Sequence, residues 1–333
     1  MVDDITKAMV MSAGMGSRLE PLTLQVPKPL VPVCNRPVMD ILFESLANIG
    51  IKDVVCNTYY LADQIIERYE TNDLGINFNY ITEETLSGTA GGLKKCQFFF
   101  NEGEDFVVLS ADGLTNADIL RGIEVHKKSG AIATIGVKRV SHDEVSHFGV
   151  VVTDDNGFIT EFQEKPAIEE AKSDCINTGI YIFNYRIFEY IPENTFYDFA
   201  KNVFPKLLAE KQINTFVISD YWSDIGTLEQ YKISTQDVFA KNCEFKHGEI
   251  IEALNGKYIS SSYIPNDTRF IGNSTIGKNC KIGKNVEIMN CIIWDNVEIA
   301  DDIKISNCII ASNERITCDL TDKVIGCNKL ITV

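Results

Sequence analysis

The 333-residue chain has no surplus of positive charge: 31 lysines and arginines stand against 47 aspartates and glutamates, a net charge of −16. Nucleic-acid binders and membrane-surface proteins ordinarily carry basic patches, so the composition argues against both and reads as plain solubility. No apolar run reaches the ~18 residues of a membrane span. No secretory leader is visible either, because Asp3 and Asp4 stand near the start and no long apolar run follows. Cys-x-x-Cys is absent although there are ten cysteines, mostly set in apolar runs such as Val55-Cys56 and Asn290-Cys291-Ile292. That pattern disfavours a disulfide framework or a zinc site and predicts reduced, buried thiols in a cytoplasmic protein.

Against this acidic background a local cluster of cations carries weight. The stretch Met11-Ser-Ala-Gly-Met-Gly-Ser-Arg18 follows a short apolar run, Ala8 to Met11, and continues to Pro27-Lys28-Pro29. Glycines let backbone N–H groups approach phosphate oxygens, Arg18 offers a planar fork and Lys28 a point charge. Pro21, Pro27 and Pro29 prevent a long helix here. The plainer alternative is an ordinary strand-to-loop turn. A dinucleotide fingerprint is excluded, because its third glycine is replaced by Leu19 and the prolines break the helix it requires.

Residues 1 to about 135 alternate strands (8–11, 53–57, 77–81, 106–110, 131–137) with helices (38–49, 62–69, 119–128). This rhythm predicts a mainly parallel sheet with helices on both faces and ligands at the carboxyl ends of its strands. From 140 to 225 the pattern is richer in strands: 149–153 and 158–162 around the turn Asp154-Asp155-Asn156-Gly157, then 175–183, with helices over 199–210 and 227–239. Residues 241–262 lack periodicity and read as a linker. Beyond them Ile276, Ile282 and Ile288 are six apart, as are Ile293, Ile299 and Ile305, and the two sets are offset by 17. Gly272, Gly277, Gly283, Asn279, Asn285 and Asn296 mark corners needing left-handed backbone. The double period predicts a hexapeptide-repeat parallel β-helix with one short hexad per coil, in preference to a common antiparallel β domain.

Asp112 ends the apolar strand Phe106–Ser110 on the same sheet edge as the glycine loop, where a carboxylate can ligate Mg²⁺; the alternative is a cap or turn residue before Gly113. Asp224 follows an aromatic strand and precedes Gly226-Thr227; its alternative is an N-cap. Glu164-Lys165-Pro166 supplies a further fixed cation, or else a solvated surface strand. Gly179 in Asn177-Thr178-Gly179 marks either close approach of a ligand or a β-bulge. Leu86-Ser-Gly-Thr-Ala-Gly-Gly92 is able to lie against a planar base, or is a helix entry capped by Thr89. Two strand-end aspartates beside a phosphate loop point to metal-assisted phosphoryl or nucleotidyl transfer.

Over residues 6 to about 240 this constellation resembles the sugar-1-phosphate nucleotidyltransferases, through Gly14-x-Gly16-Ser17-Arg18-Leu19-x-Pro21-Leu22-Thr23 followed by Pro27-Lys28-Pro29-Leu30. The resemblance implies a Rossmann-like, doubly wound mixed α/β catalytic domain (1–240), a linker (241–262) and a short C-terminal left-handed parallel β-helix (263–333). It implies transfer of a nucleotidyl group from a nucleoside triphosphate to a sugar 1-phosphate, with Mg²⁺ and release of pyrophosphate. By the same resemblance Ala13, Gly14, Met15, Gly16 and Ser17 line the triphosphate, with Arg18 on the leaving pyrophosphate and Lys28 on the phosphates. Gly88 and Thr89 face the base, and Asp112 and Asp224 hold the metal. Phe148, Gly149, Glu164, Lys165, Thr178 and Gly179 surround the sugar phosphate, with Lys165 on its phosphate. Two positions depart from the family pattern, Ala111 and Ala13, where glycines are usual. Pro21-Leu-Thr-Leu24, Cys34-Asn35-Arg36-Pro37 and Gly88-Thr-Ala-Gly91 most resemble mannose-1-phosphate guanylyltransferases, and glucose-1-phosphate enzymes using UTP, dTTP, ATP or CTP share most of these positions. An acyltransferase β-helix is disfavoured because all four histidines precede the repeat. A silent regulatory subunit is disfavoured because Arg18, Lys28, Asp112, Lys165 and Asp224 are all retained. The β-helix then reads as a structural or homo-oligomerising module.

Overall fold

The computed structural model describes residues 5–243 and 257–332, which form two compact units: one of residues 5–14 with Leu42–Asp224, the other of Met15–Ile41 with residues 225–243 and 257–332.

The first unit is built on a nine-stranded mixed sheet. Strands β1 (Lys7–Met11), β2 (Asp53–Thr58), β3 (Asn77–Thr82) and β4 (Asp105–Ser110) run parallel in the order β4-β1-β2-β3. A short strand β5 (Gly113–Thr115) follows. Beyond β4 the direction reverses: β9 (Cys175–Asn184) is antiparallel to β4, to β6 (Ala133–Arg139) and to β7 (Gly149–Thr153). Strand β7 makes a hairpin with β8 (Ile159–Glu164), and β10 (Ile213–Val217) runs parallel to β6. Asp154 closes that hairpin turn by accepting from the backbone N–H groups of Asn156 and Phe158, with Gly157 at φ +82°. The centre of the sheet is apolar on both faces, and Met9, Val55, Phe106, Val108 and Phe183 are wholly buried, as a sheet covered by helices on both sides requires. A two-stranded antiparallel pair of β5 with β11 (Trp222–Asp224) lies apart from the main sheet.

Helices α1 (Val38–Asn48), α2 (Ala62–Tyr69), α3 (Gly88–Lys95) and α4 (Ile119–Ser129) link the early strands. The helix expected over 199–210 is instead a π-helical turn, Phe199–Val203, running into α5 (Phe204–Ala209). Pro205 has no N–H for the preceding turn, so an unbroken α-helical ladder cannot form there.

In the second unit α6 (Leu228–Phe239) is capped by Thr227, whose hydroxyl accepts from Gln230 N. The repeat folds as three parallel sheets. Ile276, Ile293 and Ile310 stack in one register, Ile282, Ile299 and Ile316 in a second, and Ile288, Ile305 and Leu320 in a third, all buried. Asn279, Asn285 and Asn296 do occupy left-handed backbone, and their side chains form ladders 17 residues apart, such as Asn296 Nδ2 to Asn313 Oδ1 at 3.1 Å. Of the three glycines only Gly272 has positive φ. Gly277 and Gly283 are needed for a different reason: a Cβ on either would lie 2.6 Å from backbone carbon of the next coil. The stretch read as a linker lies largely outside the described residues (244–256), and at its end Lys257–Ile259 already pairs in parallel with Ser274–Ile276. Lys323–Gly326 extends the first of these sheets in parallel with Ile309–Ile310, and Lys329–Thr332 turns back to pair with it as an antiparallel hairpin.

Candidate active site

Parallel strands β1 and β4 pair Met11 with Ser110, so Ala13-Gly14 and Asp112 leave the sheet at adjacent carboxyl ends. Antiparallel β9 brings Asn177-Thr178-Gly179 to the same edge, since Ile180 pairs with Leu109. There a cleft of about 220 Å³ gathers Asp112, Phe148, Gly149, Glu164, Lys165 and Asp224, together with Thr89, Thr178 and Gly179. Residues far apart in sequence thus converge because the sheet edge collects them.

Neither aspartate is a helix cap. Asp112 leads into strand β5, the cap of α4 is Asp118, and α6 is capped by Thr227. Asp224 pairs in register with Gly113, which sets it one residue across from Asp112. Among the described residues no group of three or more His, Cys, Asp or Glu is arranged to hold a metal by itself. Two carboxylates on one cleft still match Mg²⁺, which takes one or two protein carboxylates and completes its shell with phosphate oxygens and water.

Lys165 sits in left-handed backbone, φ +48°, although it precedes Pro166 and carries a Cβ. Both features disfavour that conformation, so the backbone is strained at this position. Its N–H donates to Phe148 O at 3.1 Å, which fixes the turn. Desolvation raises the Glu164 carboxyl above its usual range and the charge of Asp198 adds to this, while Lys165 opposes it. Trp222 closes the cleft: its Nε1 donates to Thr178 O at 3.0 Å, and its ring lies edge-on to Phe148 at 5.8 Å.

Several side chains serve the scaffold instead. The Thr178 hydroxyl donates to Gly136 O at 2.6 Å and is buried, so only its backbone is presented. Gly179 belongs to a β-bulge, with a register shift between Asn177 and Tyr181. Its φ is +76°, and a Cβ there would lie 2.6 Å from Ser110 Oγ, so the close approach is by a neighbouring side chain. Thr89 does not cap α3. Its hydroxyl donates to Asp198 Oδ2 at 3.0 Å and accepts from Phe199 N at 2.9 Å.

The Gly88 loop is clamped from both sides. Tyr197 O accepts from Ala90 N and Gly91 N, both at 3.0 Å, and Tyr197 N donates to Ser87 O at 2.8 Å. Gly88 has φ +78°, and its missing Cβ would strike the Tyr197 carbonyl. On the other side lies a buried network that no motif advertised. Glu83 accepts from Asn57 Nδ2 at 2.7 Å, Ser87 N at 3.1 Å, the Ser87 hydroxyl and Lys95 Nζ at 3.0 Å. Asn57 in turn accepts from Ser12 N and from the Ser12 hydroxyl. The network ties the strand end before Ala13-Gly14 to the start of α3.

Asp198 also lines the cleft and was not anticipated. In sequence it reads only as a helix start, which it is, since its Oδ1 accepts from Lys201 N. His147 is a second such residue.

The rest of the glycine loop belongs to the other unit. Exposed Met15, Ser17 and Arg18 flank Gly16, whose φ is +66°. Thr23 Oγ1 donates to Gly16 O at 2.9 Å, and a Cβ on Gly16 would lie 2.9 Å from Lys28 Cβ. Three short 3₁₀ turns, Ser17–Leu19, Leu22–Leu24 and Lys28–Leu30, replace a helix, as the prolines require.

Comparison with known proteins places these observations in context. Residues 7–240 match the family model "Nucleotidyl transferase", and residues 255–326 match "GMPPB C-terminal domain". The chain is 37% identical over 323 residues to UTP–glucose-1-phosphate uridylyltransferase of Synechocystis sp., covering 87% of this chain and 83% of that one. It is 34% identical over 255 residues to mannose-1-phosphate guanylyltransferase catalytic subunit beta of Dictyostelium discoideum, covering 75% and 69%. A solved structure of UDP-glucose pyrophosphorylase with UDP-glucose shares the fold, with a TM-score of 0.64 at 20% identity over 71% of this chain and 99% of that one.

Proposed function

The chain belongs to the nucleotidyl transferase family, and we propose that it transfers a nucleotidyl group from a nucleoside triphosphate to a sugar 1-phosphate, releasing pyrophosphate. The observation that carries this reading is the cleft at the carboxyl ends of β1 and β4, which two aspartates line together with Glu164 and Lys165. An anionic sugar-phosphate oxygen needs no strong base, so catalysis reduces to positioning and to neutralising charge. Lys165 holds the sugar phosphate, and Glu164 accepts from a sugar hydroxyl. Ala13, Gly14, Met15, Gly16 and Ser17 receive the triphosphate, Lys28 pairs with its phosphates, and Arg18 steadies the departing pyrophosphate. Gly88 and Thr89 face the base through backbone, because the Thr89 hydroxyl is already engaged. Asp112 and Asp224 would hold Mg²⁺, which supplies neutralisation of phosphoryl charge.

For the substrates we favour GTP and mannose 1-phosphate, supported by the match of the C-terminal region and by relatives named for that reaction. UTP and glucose 1-phosphate form a second reading, favoured by the 37% identity to a uridylyltransferase. In this proposal residues 1–240 are the catalytic module, 263–333 the β-helix, and the protein is a cytoplasmic homo-oligomer. Ten cysteines without a disulfide, seven of them buried, support a reducing compartment. Among the described residues no helix is long and apolar enough to cross a membrane.

Pyrophosphate release, assayed with Mg²⁺ across the common NTPs and both sugar 1-phosphates, tests the proposal. Release with GTP and mannose 1-phosphate above all other pairs supports the first reading, and preference for UTP with glucose 1-phosphate replaces it by the second. No release with any pair overturns both.

A further inference from the structure

The cations Arg18 and Lys28 belong to a stretch, 15–41, that is packed with α6 and the β-helix in one compact unit. The attachment is specific. Tyr231 on α6 is wholly buried; its hydroxyl donates to Pro32 O at 2.5 Å and accepts from Trp294 Nε1 at 3.0 Å. Asn35 Nδ2 donates to Ile276 O at 2.7 Å. A Cβ on Gly326 would lie 3.2 Å from Pro21 O and 3.1 Å from Ala311 Cβ.

These contacts share one row of the β-helix. Ile276, Ile293, Ile310 and Ile325 are in register, so the residues that follow them, Gly277, Trp294, Ala311 and Gly326, form a vertical line along one corner. Glycine and alanine keep that corner low. Trp294 alone is large, it is 3% exposed, and it spends its single N–H on Tyr231. An indole donor and a phenol at zero exposure lose water on folding, so each bond they make fixes geometry and is costly to leave unmade.

We infer that the β-helix is the mount of the cation-bearing loop, and that Trp294 and Tyr231 are positioning residues for the nucleoside triphosphate. The inference rests on the proposed function, in which Arg18 and Lys28 meet the phosphates. Trp294 and Tyr231 act on the loop backbone at Pro32, and the loop carries the cations. A shift of the loop by a fraction of an ångström then weakens triphosphate and pyrophosphate alike, and leaves the sugar side untouched.

Two conservative variants test this on the full-length chain. Trp294→Phe keeps a ring and removes the N–H; Tyr231→Phe removes the shared hydroxyl. With whichever of GTP or UTP and of mannose or glucose 1-phosphate the unaltered chain turns over, each variant should raise KM for the NTP about five- to tenfold, the scale of one buried hydrogen bond. Product inhibition by pyrophosphate should weaken by the same factor, with KM for the sugar 1-phosphate unchanged. The double variant should be no worse than Tyr231→Phe, because both bonds meet at that hydroxyl. Should Tyr231→Phe fail to fold, Trp294→Phe alone decides the matter. Folded variants with unaltered NTP KM and pyrophosphate inhibition overturn the inference, as does an equal rise in both KM values with a lowered melting temperature. An unaltered chain that releases no pyrophosphate from any pair overturns the proposed function and the inference together.

Discussion

The sheet unit and the β-helix unit solve the same problem, burying an apolar interior under satisfied backbone, in opposite ways. The sheet unit uses large, dissimilar side chains: Phe100, Phe106, Phe183, Phe188 and Phe199 interlock, with Phe100 and Phe106 stacked at 3.9 Å. The β-helix uses one side chain over and over, isoleucine on isoleucine at 17-residue intervals. An irregular interior can support an irregular rim, and the sheet unit spends its rim on a cleft of strained and charged residues. A repeated interior yields a straight, predictable wall. Polar side chains on its outer surface pair with their counterparts one coil away, at the corners as Asn285 does with Asp302 at 2.8 Å, and on the strands as Lys281 does with Glu298 at 2.8 Å. One region is shaped for chemistry and the other for support.

Asp112→Asn presses hardest on this contrast. Removing the carboxylate proposed to hold Mg²⁺ should cut pyrophosphate release by at least about a hundredfold, with the circular dichroism spectrum unchanged. Full turnover would misplace the metal and, with it, the chemical character of that rim. Ile293→Ala comes next. It empties a rung between Ile276 and Ile310 that is wholly buried, and should cost about 2–5 kcal/mol in urea unfolding. Ile299→Ala should cost a similar amount if the wall behaves as a repeat, and a large disparity would break that description.

Glu83→Gln is smaller again. The Asn57 amide donates to one carboxylate oxygen and Ser87 and Lys95 to the other, so a glutamine turns its own NH2 toward one set of donors in either orientation, and should cost about 1–3 kcal/mol by denaturant titration. No change in midpoint would show that this buried network is dispensable. The smallest effect belongs to the exposed pair of His142 Nδ1 and Asp174 Oδ1 at 2.8 Å. The hydrogen bond to Asp174 raises the His142 pKa above its unfolded value. Its contribution is therefore complete below about pH 6.5 and lost as pH rises through the raised folded value. His142→Gln should lower the melting temperature slightly at pH 6 and not at pH 9; an equal effect at both would remove the titration from the explanation.

Much of the fold was legible because it depends on local periodicity. The strand ends that carry Ser110 and Met11, the Asp154–Gly157 hairpin and the six-residue isoleucine period are properties of short windows, and each appears where the sequence puts it. The cleft was legible in part for the same reason: a βαβ pattern sends its loops to one edge, which set Asp112 beside the glycine loop, while Lys165 joined the group through the family resemblance. Asp198 was not, because a helix-capping aspartate and a cleft-lining one look alike in sequence. The Glu83 network was not, because its members, Ser12, Asn57, Glu83, Ser87 and Lys95, are ordinary polar residues scattered from position 12 to position 95.

The sequence by itself determined the layout of elements and, through its signature loop, the family, and it nominated the residues proposed to meet phosphate and metal, since spacing, turn chemistry and motif resemblance are properties of short windows. Tertiary structure decided what each of those residues is available for. Thr178 and Thr89 turned out to be committed to the scaffold, Gly277 and Gly283 to be required by the next coil and not by φ, and Lys165 to sit in strained backbone. The partnership of the 15–41 loop with Tyr231 and the β-helix was likewise set by long-range packing. Such assignments depend on which partner comes within hydrogen-bond reach once the chain is closed, and no window of sequence contains both partners.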